Sequence, residues 1–151
     1  MKKNTFKLAI VLLLLVVSCF CCKKDTSTNI DSKINITMVE SSDTPLPTLI
    51  FVCRTVKIYS YYHDIIFNCQ QSLDNIDIQF LSIEQNPLPA SNPAEAVINL
   101  GTLNNGTYHL NIYVGKVKYK GKLIVSSESY SVNFKNNSII HFTNSTLNRI
   151  V

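Results

Sequence analysis

The sequence predicts an all-β protein, an antiparallel β-sandwich of about seven strands that follows an N-terminal signal peptide. Apolar and polar residues alternate at two-residue spacing between Leu49 and Val125, the predicted extent of the sandwich. Such alternation is typical of strands that have one buried face. None of these runs has apolar residues at three- and four-residue steps over a full helix length. Turns separate the runs at spacings of roughly 8–15 residues, which favours a sandwich over a parallel α/β fold.

The composition predicts one folded domain and excludes several classes of protein. The 151 residues are 46% hydrophobic and 16% charged, and they include five cysteines and no tryptophan. Soluble domains usually have about a quarter of their residues charged, so the chain is neither a highly charged disordered tail nor a coiled coil. The length matches a single domain.

Residues 1–18 have the pattern of a bacterial lipoprotein signal peptide. Three lysines precede or border an unbroken apolar run from Leu8 to Val17, which is too short to span a membrane. Ser18 and Cys19 follow the run. This ending resembles the bacterial lipobox, in which a small residue precedes the cysteine that receives the lipid. Cleavage there removes three lysines and no acidic residue, so the net charge falls from +4 to +1. A charge this small gives little reason to expect a nucleic-acid partner.

Cys22 is the alternative lipidation site. The stretch Cys22–Asp25 has the sequence Cys-Lys-Lys-Asp, which resembles the start of many mature lipoproteins of Bacteroidetes bacteria. In some of that group a charged stretch after the lipidated cysteine directs export to the cell surface, and those stretches usually hold more acidic residues. We therefore expect a lipid-anchored protein of the cell envelope, at the outer membrane, on either its periplasmic face or the cell surface.

The remaining chain is predicted to contain a tether, strands and an extension. Residues 19–48 are predicted to be a polar tether, although the alternation over 34–38 would also suit a short strand. Strands are predicted over 54–59, 65–69, 76–80, 97–100, 108–114 and 117–125. A break is expected over 61–64, and a proline-rich loop or weak edge over 84–92. Residues 126–151 are predicted to be a C-terminal extension, either an extra hairpin or a flexible tail.

A family resemblance rests on two stretches, Ile98–Ile112 (INLGTLNNGTYHLNI) and Tyr119–Val125 (YKGKLIV). They resemble the last strands of small single-domain proteins that Bacteroidetes bacteria export, which carry an immunoglobulin-like domain of unknown function. The resemblance covers residues 50–125 and implies an immunoglobulin-like β-sandwich, with no catalytic residue to carry over. The same pattern is similar to the C-terminal sorting domains of a Bacteroidetes secretion system. Those domains end soon after their final strand, whereas this chain continues past Val125.

Cys53 and Cys69 are the two cysteines of the predicted domain. An exported protein can form disulfides, and a hairpin of the first two strands around residue 61 would place these cysteines opposite each other. A bridge between them would stabilise the fold by about 3 kcal/mol. Alternatively, they are buried as small apolar residues. The sequence leaves both alternatives open because the strand register is unknown.

The candidate ligand contacts are two tyrosines and a row of lysines. Alternation places Lys118, Lys120 and Lys122 on one face of a strand. There they would meet an anionic glycan or lipid head group, or form a solvated face or a protected strand edge. Tyr61 and Tyr62 suit stacking on sugars, although tyrosine is also a good strand former. The expected partners are a membrane, through the lipid, and a protein or a glycan.

The sequence lacks the motifs of the common enzyme classes. It contains no Gly-x-Ser-x-Gly elbow and no phosphate-binding loop. Its three histidines, His63, His109 and His141, do not have the spacing of a metal site. We therefore predict a binding or structural accessory module without catalytic activity, cofactor or metal. The alternatives are a glycan-binding surface lipoprotein and a relative of the sorting domains.

Overall fold

The computed structural model describes residues 28–41 and 46–149, and these residues form strands, turns and loops without a helix. Consequently, none of the described residues belongs to a helix that could cross a bilayer. The prediction of an all-β protein is confirmed. The strands are β1 (Ile34–Ser41), β2 (Thr48–Gln71), β3 (Asn75–Gly101), β4 (Gly106–Val114), β5 (Val117–Val125), β6 (Ser129–Phe134), β7 (Ile140–Phe142) and β8 (Thr146–Asn148).

The eight strands form one mixed sheet that curls into a half-barrel, in the order β7-β1-β2-β3-β4-β5-β6-β8. Two pairings, β1 with β7 and β3 with β4, are parallel. The prediction of a purely antiparallel sheet is wrong at these two pairs. A parallel pair usually needs a crossover of about a dozen residues or more. The connection from β3 to β4 is much shorter, because β3 curls until its end lies near its beginning.

β2 and β3 are one long antiparallel ribbon that bends back on itself. Gln71 pairs with Ile76 near the turn at 72–74, and Leu49 pairs with Gly101 at the opposite end. The side chain of Gln71 also donates from Nε2 to the carbonyl oxygen of Leu100 at 3.2 Å, so the two ends of the ribbon lie side by side. This contact is the direct evidence for the curl.

The middle of the ribbon is a two-stranded arm, made of residues 56–64 of β2 and 84–93 of β3. No residue of the arm is buried. The expected break over 61–64 is wrong, because that segment belongs to β2. Of the two alternatives for residues 84–92, the loop is wrong and the weak edge fits, because the segment belongs to β3 and pairs only with β2. Prolines fit here because no other described strand pairs with the arm and needs their missing N–H groups. Several register shifts accommodate the bend.

β1 lies inside the range that the sequence predicts as a tether, so that prediction is wrong for residues 34–41, and the alternative of a short strand over 34–38 is the one that the structure contains. Ile34, Ile36 and Met38 are at most 1% exposed. β1 pairs with β2 on one side and with β7 on the other. The polar residues that alternate with these three face away from the core. Together with the polar residues on either side of β1, they gave the segment the composition of a tether.

The predicted extension after Val125 is an integral part of the sheet, neither a separate hairpin nor a tail. β6 joins β5, and β7 and β8 join opposite outer strands of the curled sheet. Between them, the Thr143 N–H donates to the Ile36 carbonyl, and the Val132 N–H donates to the Ser145 carbonyl. The folded unit therefore includes β1 and β6 to β8 as well as residues 49–125.

The side chain of Asn144 completes this junction between the outer strands. Its Oδ1 accepts from the Met38 N–H at 2.9 Å, and its Nδ2 donates to the Met38 carbonyl at 3.0 Å. A side-chain amide thus makes the pair of bonds that a backbone peptide group would make in a ladder. The backbone groups of Met38 in β1 therefore remain hydrogen-bonded at the point where the C-terminal chain turns from β1 towards β6.

The core is a single cluster to which every strand from β1 to β7 contributes. Phe51 and Phe142 pack edge to face with centroids 5.6 Å apart. Tyr130 is fully buried, and its hydroxyl donates to Glu40 Oε1 at 2.9 Å. Arg149 Nε lies 3.8 Å from the same carboxylate oxygen. Burial, and then the bond to Glu40, raise the pKa of Tyr130.

Candidate functional site

The outer surface of β2 to β6 is a polar sheet face. Side chains of residues that pair across neighbouring strands point to the same side of a sheet, so the register defines three rows. Alternate residues of the same strands, such as Ile78 and Ile112, are buried in the core. We call these twelve residues the polar face: Gln70, Asp77, Asn111 and Lys120; Asn68, Gln79, Tyr113 and Lys118; and Asn75, His109, Lys122 and Asn133.

A cavity of about 260 Å³ lies on the polar face. Asn111 Nδ2 donates to Asp77 Oδ1 at 2.6 Å, and this bond orients the carboxylate. Amide groups both donate and accept hydrogen bonds, and a carboxylate accepts them. The ring of Tyr113 adds a flat apolar surface, so the cavity offers the groups that recognise the hydroxyls and the C–H face of a sugar. Its lining residues are Asn68, Gln70, Asp77, Gln79 and Tyr113.

The predicted lysine row forms the β5 side of the polar face. Lys118, Lys120 and Lys122 are exposed. Lys118 Nζ lies 5.1 Å from the centroid of the Tyr113 ring, a cation–π distance. β6 pairs with β5 only over Gly121–Val125, so the alternative of a protected strand edge is wrong at Lys122. It fits Lys118 and Lys120, where β5 pairs with β4 alone. Asp77 is the one acidic residue of the polar face, which carries a net charge of +2 when its histidine is neutral.

Tyr61 and Tyr62 lie apart from these lysines, in the arm, where they are 42% and 41% exposed. Tyr61 pairs with Pro89. A cavity of about 310 Å³ at the base of the arm is lined by Arg54, Tyr62, Asn92, Pro93 and Glu95. There Arg54 Nε donates to Glu95 Oε2 at 2.6 Å. The structure therefore places the predicted ligand contacts at two separate positions.

Cys53 and Cys69 are free thiols. The hairpin that would place them opposite each other does not form, because β2 continues unbroken and pairs with β3. In that pairing Cys53 lies opposite Ala96, and Cys69 lies opposite Ile78. Burial raises the pKa of both thiols, most strongly for Cys53, which is fully buried. Both thiols are therefore protonated and weakly nucleophilic at neutral pH.

The three histidines do not converge on one site. His63 stacks on Tyr59 with centroids 4.4 Å apart, and its Nδ1 lies 2.7 Å from the Tyr61 carbonyl oxygen. His109 is on the polar face, and His141 is in β7. Within residues 28–41 and 46–149, no group of three histidine, cysteine, aspartate or glutamate side chains is placed to hold a metal ion.

The candidate lipidation sites, Cys19 and Cys22, and the predicted signal peptide lie outside the described residues. No family model, curated protein or solved structure matches the chain. The geometry of the described residues and the N-terminal sequence are therefore the basis for proposing a function.

Sequence reasoning found the lysines of the polar face but missed the amides beside them, and it selected Tyr61 and Tyr62 rather than Tyr113 as stacking residues. A signal was present, because Asp77 and Gln79 alternate with buried Ile76 and Ile78 and so mark an outward face. Alternation does not indicate which strands are neighbours, however. Tyr113 is 34 residues further along the chain than Gln79, and only the parallel β3–β4 register places them side by side.

Proposed function

We propose that this protein is a lipid-anchored binding module of the bacterial cell envelope, without catalytic activity, that holds its ligand on the polar face. The observation that carries the proposal is the cavity lined by amides, a carboxylate and a tyrosine ring. The signal-peptide pattern of residues 1–18 and the cysteines at 19 and 22 support the anchor. The proposed location is the outer membrane, on its periplasmic face or at the cell surface.

An immunoglobulin-like β-sandwich, of the kind carried by small exported Bacteroidetes lipoproteins, is the finer description that we propose for the fold. It is supported by the number of strands and by the shared core. Phe51 and Ile98 from one end of the β2–β3 ribbon belong to the same cluster as Ile78 and Phe80 from the other end. The strand connectivity of an experimentally determined structure, compared with that of immunoglobulin domains, tests this description.

A glycan is the ligand that we propose for the polar face. Sugar hydroxyls donate and accept hydrogen bonds, and they match the amides of Asn68, Gln70 and Gln79 around the cavity. A ring such as Tyr113 packs against the apolar face of a sugar. The lysines of β5 add positive charge beside the cavity, which favours a glycan that carries acidic groups.

Glycan-array binding followed by titration of the best glycan tests the ligand class. Tyr113→Ala should weaken binding about tenfold or more, a loss of about 1.4 kcal/mol, because the stacking surface is removed. Lys120→Ala should weaken binding of an acidic glycan most at low salt, where charges are least screened. Lys135→Ala, an exposed lysine outside the polar face, is the matched control and should bind as the wild type does.

The array also distinguishes the two cavities. If Tyr61→Ala and Tyr62→Ala abolish binding and Tyr113→Ala does not, the ligand binds at the base of the arm, and the assignment to the polar face is wrong. If the wild-type protein binds no glycan, the ligand is of another class.

Metabolic labelling with radioactive palmitate tests the anchor. The wild-type protein should incorporate label, and either Cys19→Ala or Cys22→Ala should abolish it, which identifies the modified cysteine. A wild-type protein without label would refute the anchor. Protease treatment of intact cells then distinguishes the cell surface, where the protein is digested, from the periplasmic face, where it is protected.

A further inference from the structure

The arm concentrates exposed apolar side chains at one end of the molecule. Val56, Ile58 and Leu88 are 56%, 57% and 63% exposed, and the rings of Tyr61 and Tyr62 are also at the surface. Apolar patches of this kind on a soluble body mark contact surfaces. Among the residues that the structure describes, no third strand pairs with the arm and no second layer covers these side chains.

The outer part of the arm also carries no formal charge. Residues 58–63 and 85–93 contain no aspartate, glutamate, lysine or arginine. They contain instead three tyrosines, a leucine, an isoleucine and three prolines. Tyrosine is enriched where a protein meets the boundary between lipid and water, since its ring is apolar and its hydroxyl is polar. Charges begin only at the base, with Lys57, Asp64 and Glu84.

The N-terminal end of the described chain lies against the base of this arm. Thr28 and Ile83 exchange two backbone hydrogen bonds of 2.9 Å. The Val56 N–H donates to the Lys33 carbonyl at 2.9 Å, and Lys57 Nζ donates to Asp31 Oδ2 at 2.8 Å. The described chain therefore begins, at Thr28, at the arm end of the folded body.

Few residues separate Thr28 from either candidate lipid site. Cys22 and Cys19 are six and nine residues before Thr28. A fully extended chain spans at most about 3.6 Å per residue, which is about 22 Å from Cys22 and about 32 Å from Cys19. The turn that contains Leu73 lies at the far end of β2, seven strand residues beyond Asp64, or about 23 Å further away.

We infer that the arm lies on the bilayer, with the rings of Tyr61 and Tyr62 at the level of the lipid head groups and the side chains of Ile58 and Leu88 at the boundary of the acyl chains. The inference rests on the lipid anchor of the proposed function. Residues 58–63 and 85–93 carry no formal charge, so their insertion into the interface desolvates no ion within these two stretches. Insertion also buries apolar side chains that no other part of the described chain covers. The arm then orients the body, with the turn at Leu73 furthest from the membrane.

The absence of tryptophan from the chain makes a single-tryptophan experiment direct. Tyr61→Trp and Leu73→Trp are prepared in the full-length lipidated protein and placed in phosphatidylethanolamine–phosphatidylglycerol vesicles, with and without brominated lipid. Both positions are exposed, at 42% and 99%, so neither substitution disturbs the core. The Tyr61→Trp variant should shift its emission to shorter wavelength and lose most of its fluorescence to the brominated lipid. The Leu73→Trp variant should do neither.

The outcomes separate the arm from the anchor. Flotation of the protein with the vesicles measures anchoring alone, and a protein that does not float overturns the anchor and this inference together. A protein that floats but shows equal quenching at positions 61 and 73, or none at 61, retains its anchor and overturns the role of the arm. Shielding of position 61 from aqueous acrylamide without quenching by brominated lipid also overturns it, because another protein surface then covers the arm.

A second variant tests whether the apolar side chains cause the orientation. Ile58→Ser combined with Leu88→Ser, in the Tyr61→Trp background, should reduce the quenching at position 61 and leave flotation unchanged. Val39→Ser combined with Leu46→Ser is the matched control, since these apolar residues are also exposed but lie outside the arm. If the control pair lowers the quenching as much as the arm pair does, the inference is wrong.

Discussion

The arm and the two ends of the β2–β3 ribbon are built from the same two strands, yet they differ in what their side chains do. At the ends, alternate residues such as Phe51 and Ile78 are completely buried, because β1 or β4 lies beside the ribbon and the curled sheet covers it. In the arm the backbone pairing continues, but no residue is buried. Pairing is therefore enough to make a strand, whereas burial requires a second layer.

The largest expected difference between these regions is the effect of removing an aromatic ring. Phe51→Ala should lower the free energy of unfolding by about 3–5 kcal/mol, since it leaves a cavity in the core beside Phe142. Tyr61→Ala in the arm should change it by no more than about 0.5 kcal/mol. Urea unfolding followed by circular dichroism measures both. Similar losses for the two variants would show that the arm packs against a layer.

The next effect concerns the buried hydroxyl that links β6 to β1. Tyr130→Phe should lower the free energy of unfolding by about 1.5–3 kcal/mol, because a hydrogen bond to a buried carboxylate is lost. Tyr108→Phe is the matched control: its hydroxyl donates to the Asn104 carbonyl at the surface, and its loss should be smaller. Equal losses would mean that the bond to Glu40 contributes no more to stability than a surface hydrogen bond does.

Removal of the Asn144 side-chain amide, at the junction of the outer strands, should lower stability by less. Asn144→Ala removes both bonds to Met38 and should lower the free energy of unfolding by about 1–2 kcal/mol. Asn148→Ala changes an exposed residue of β8 and should be nearly neutral. Faster amide hydrogen exchange at Met38 in Asn144→Ala alone would locate the loss at the junction.

Alkaline pH should lower the free energy of unfolding through Cys53, which is buried in the core. Burial raises the pKa of its thiol in the folded state, so below pH ~8.5, the pKa of an unfolded cysteine, its contribution to stability is complete. Above that pH the unfolded thiol ionises while the folded one stays protonated, and stability falls by up to about 1.4 kcal/mol per pH unit. In Cys53→Val, the free energy of unfolding measured with urea should decline less steeply between about pH 8 and 10, the range in which an unfolded thiol ionises. An unchanged decline would contradict the assignment.

The ion pair at the base of the arm should also contribute little to stability. Arg54 and Glu95 form an ion pair whose side chains are 57% and 30% exposed, so solvent screens it. Arg54→Ala should lower the free energy of unfolding by no more than about 1 kcal/mol, and less at high salt. A larger loss would show that this cavity has a structural role.

The polar face and the arm also differ in how far they could be predicted. The outward lysines of β5 and the tyrosines of the arm are visible in the sequence because alternation and residue type are local. The amides of β2 and β3 are equally local, but their approach to Tyr113 depends on the parallel register between β3 and β4. A binding surface that combines several strands is therefore only partly predictable.

The sequence by itself determined that this protein is made of strands, since two-residue alternation of apolar side chains leaves no other way to bury one face. It also determined the outward direction of the lysines, and its first 22 residues carry the pattern on which the proposed lipid anchor rests. Only the tertiary structure decided that β1 belongs to the sheet, that the segment after Val125 joins its outer strands, and that Cys53 and Cys69 face different partners. The physical reason is that register and curl depend on contacts between residues far apart in the chain, and local periodicity is the same for every register that buries the same face.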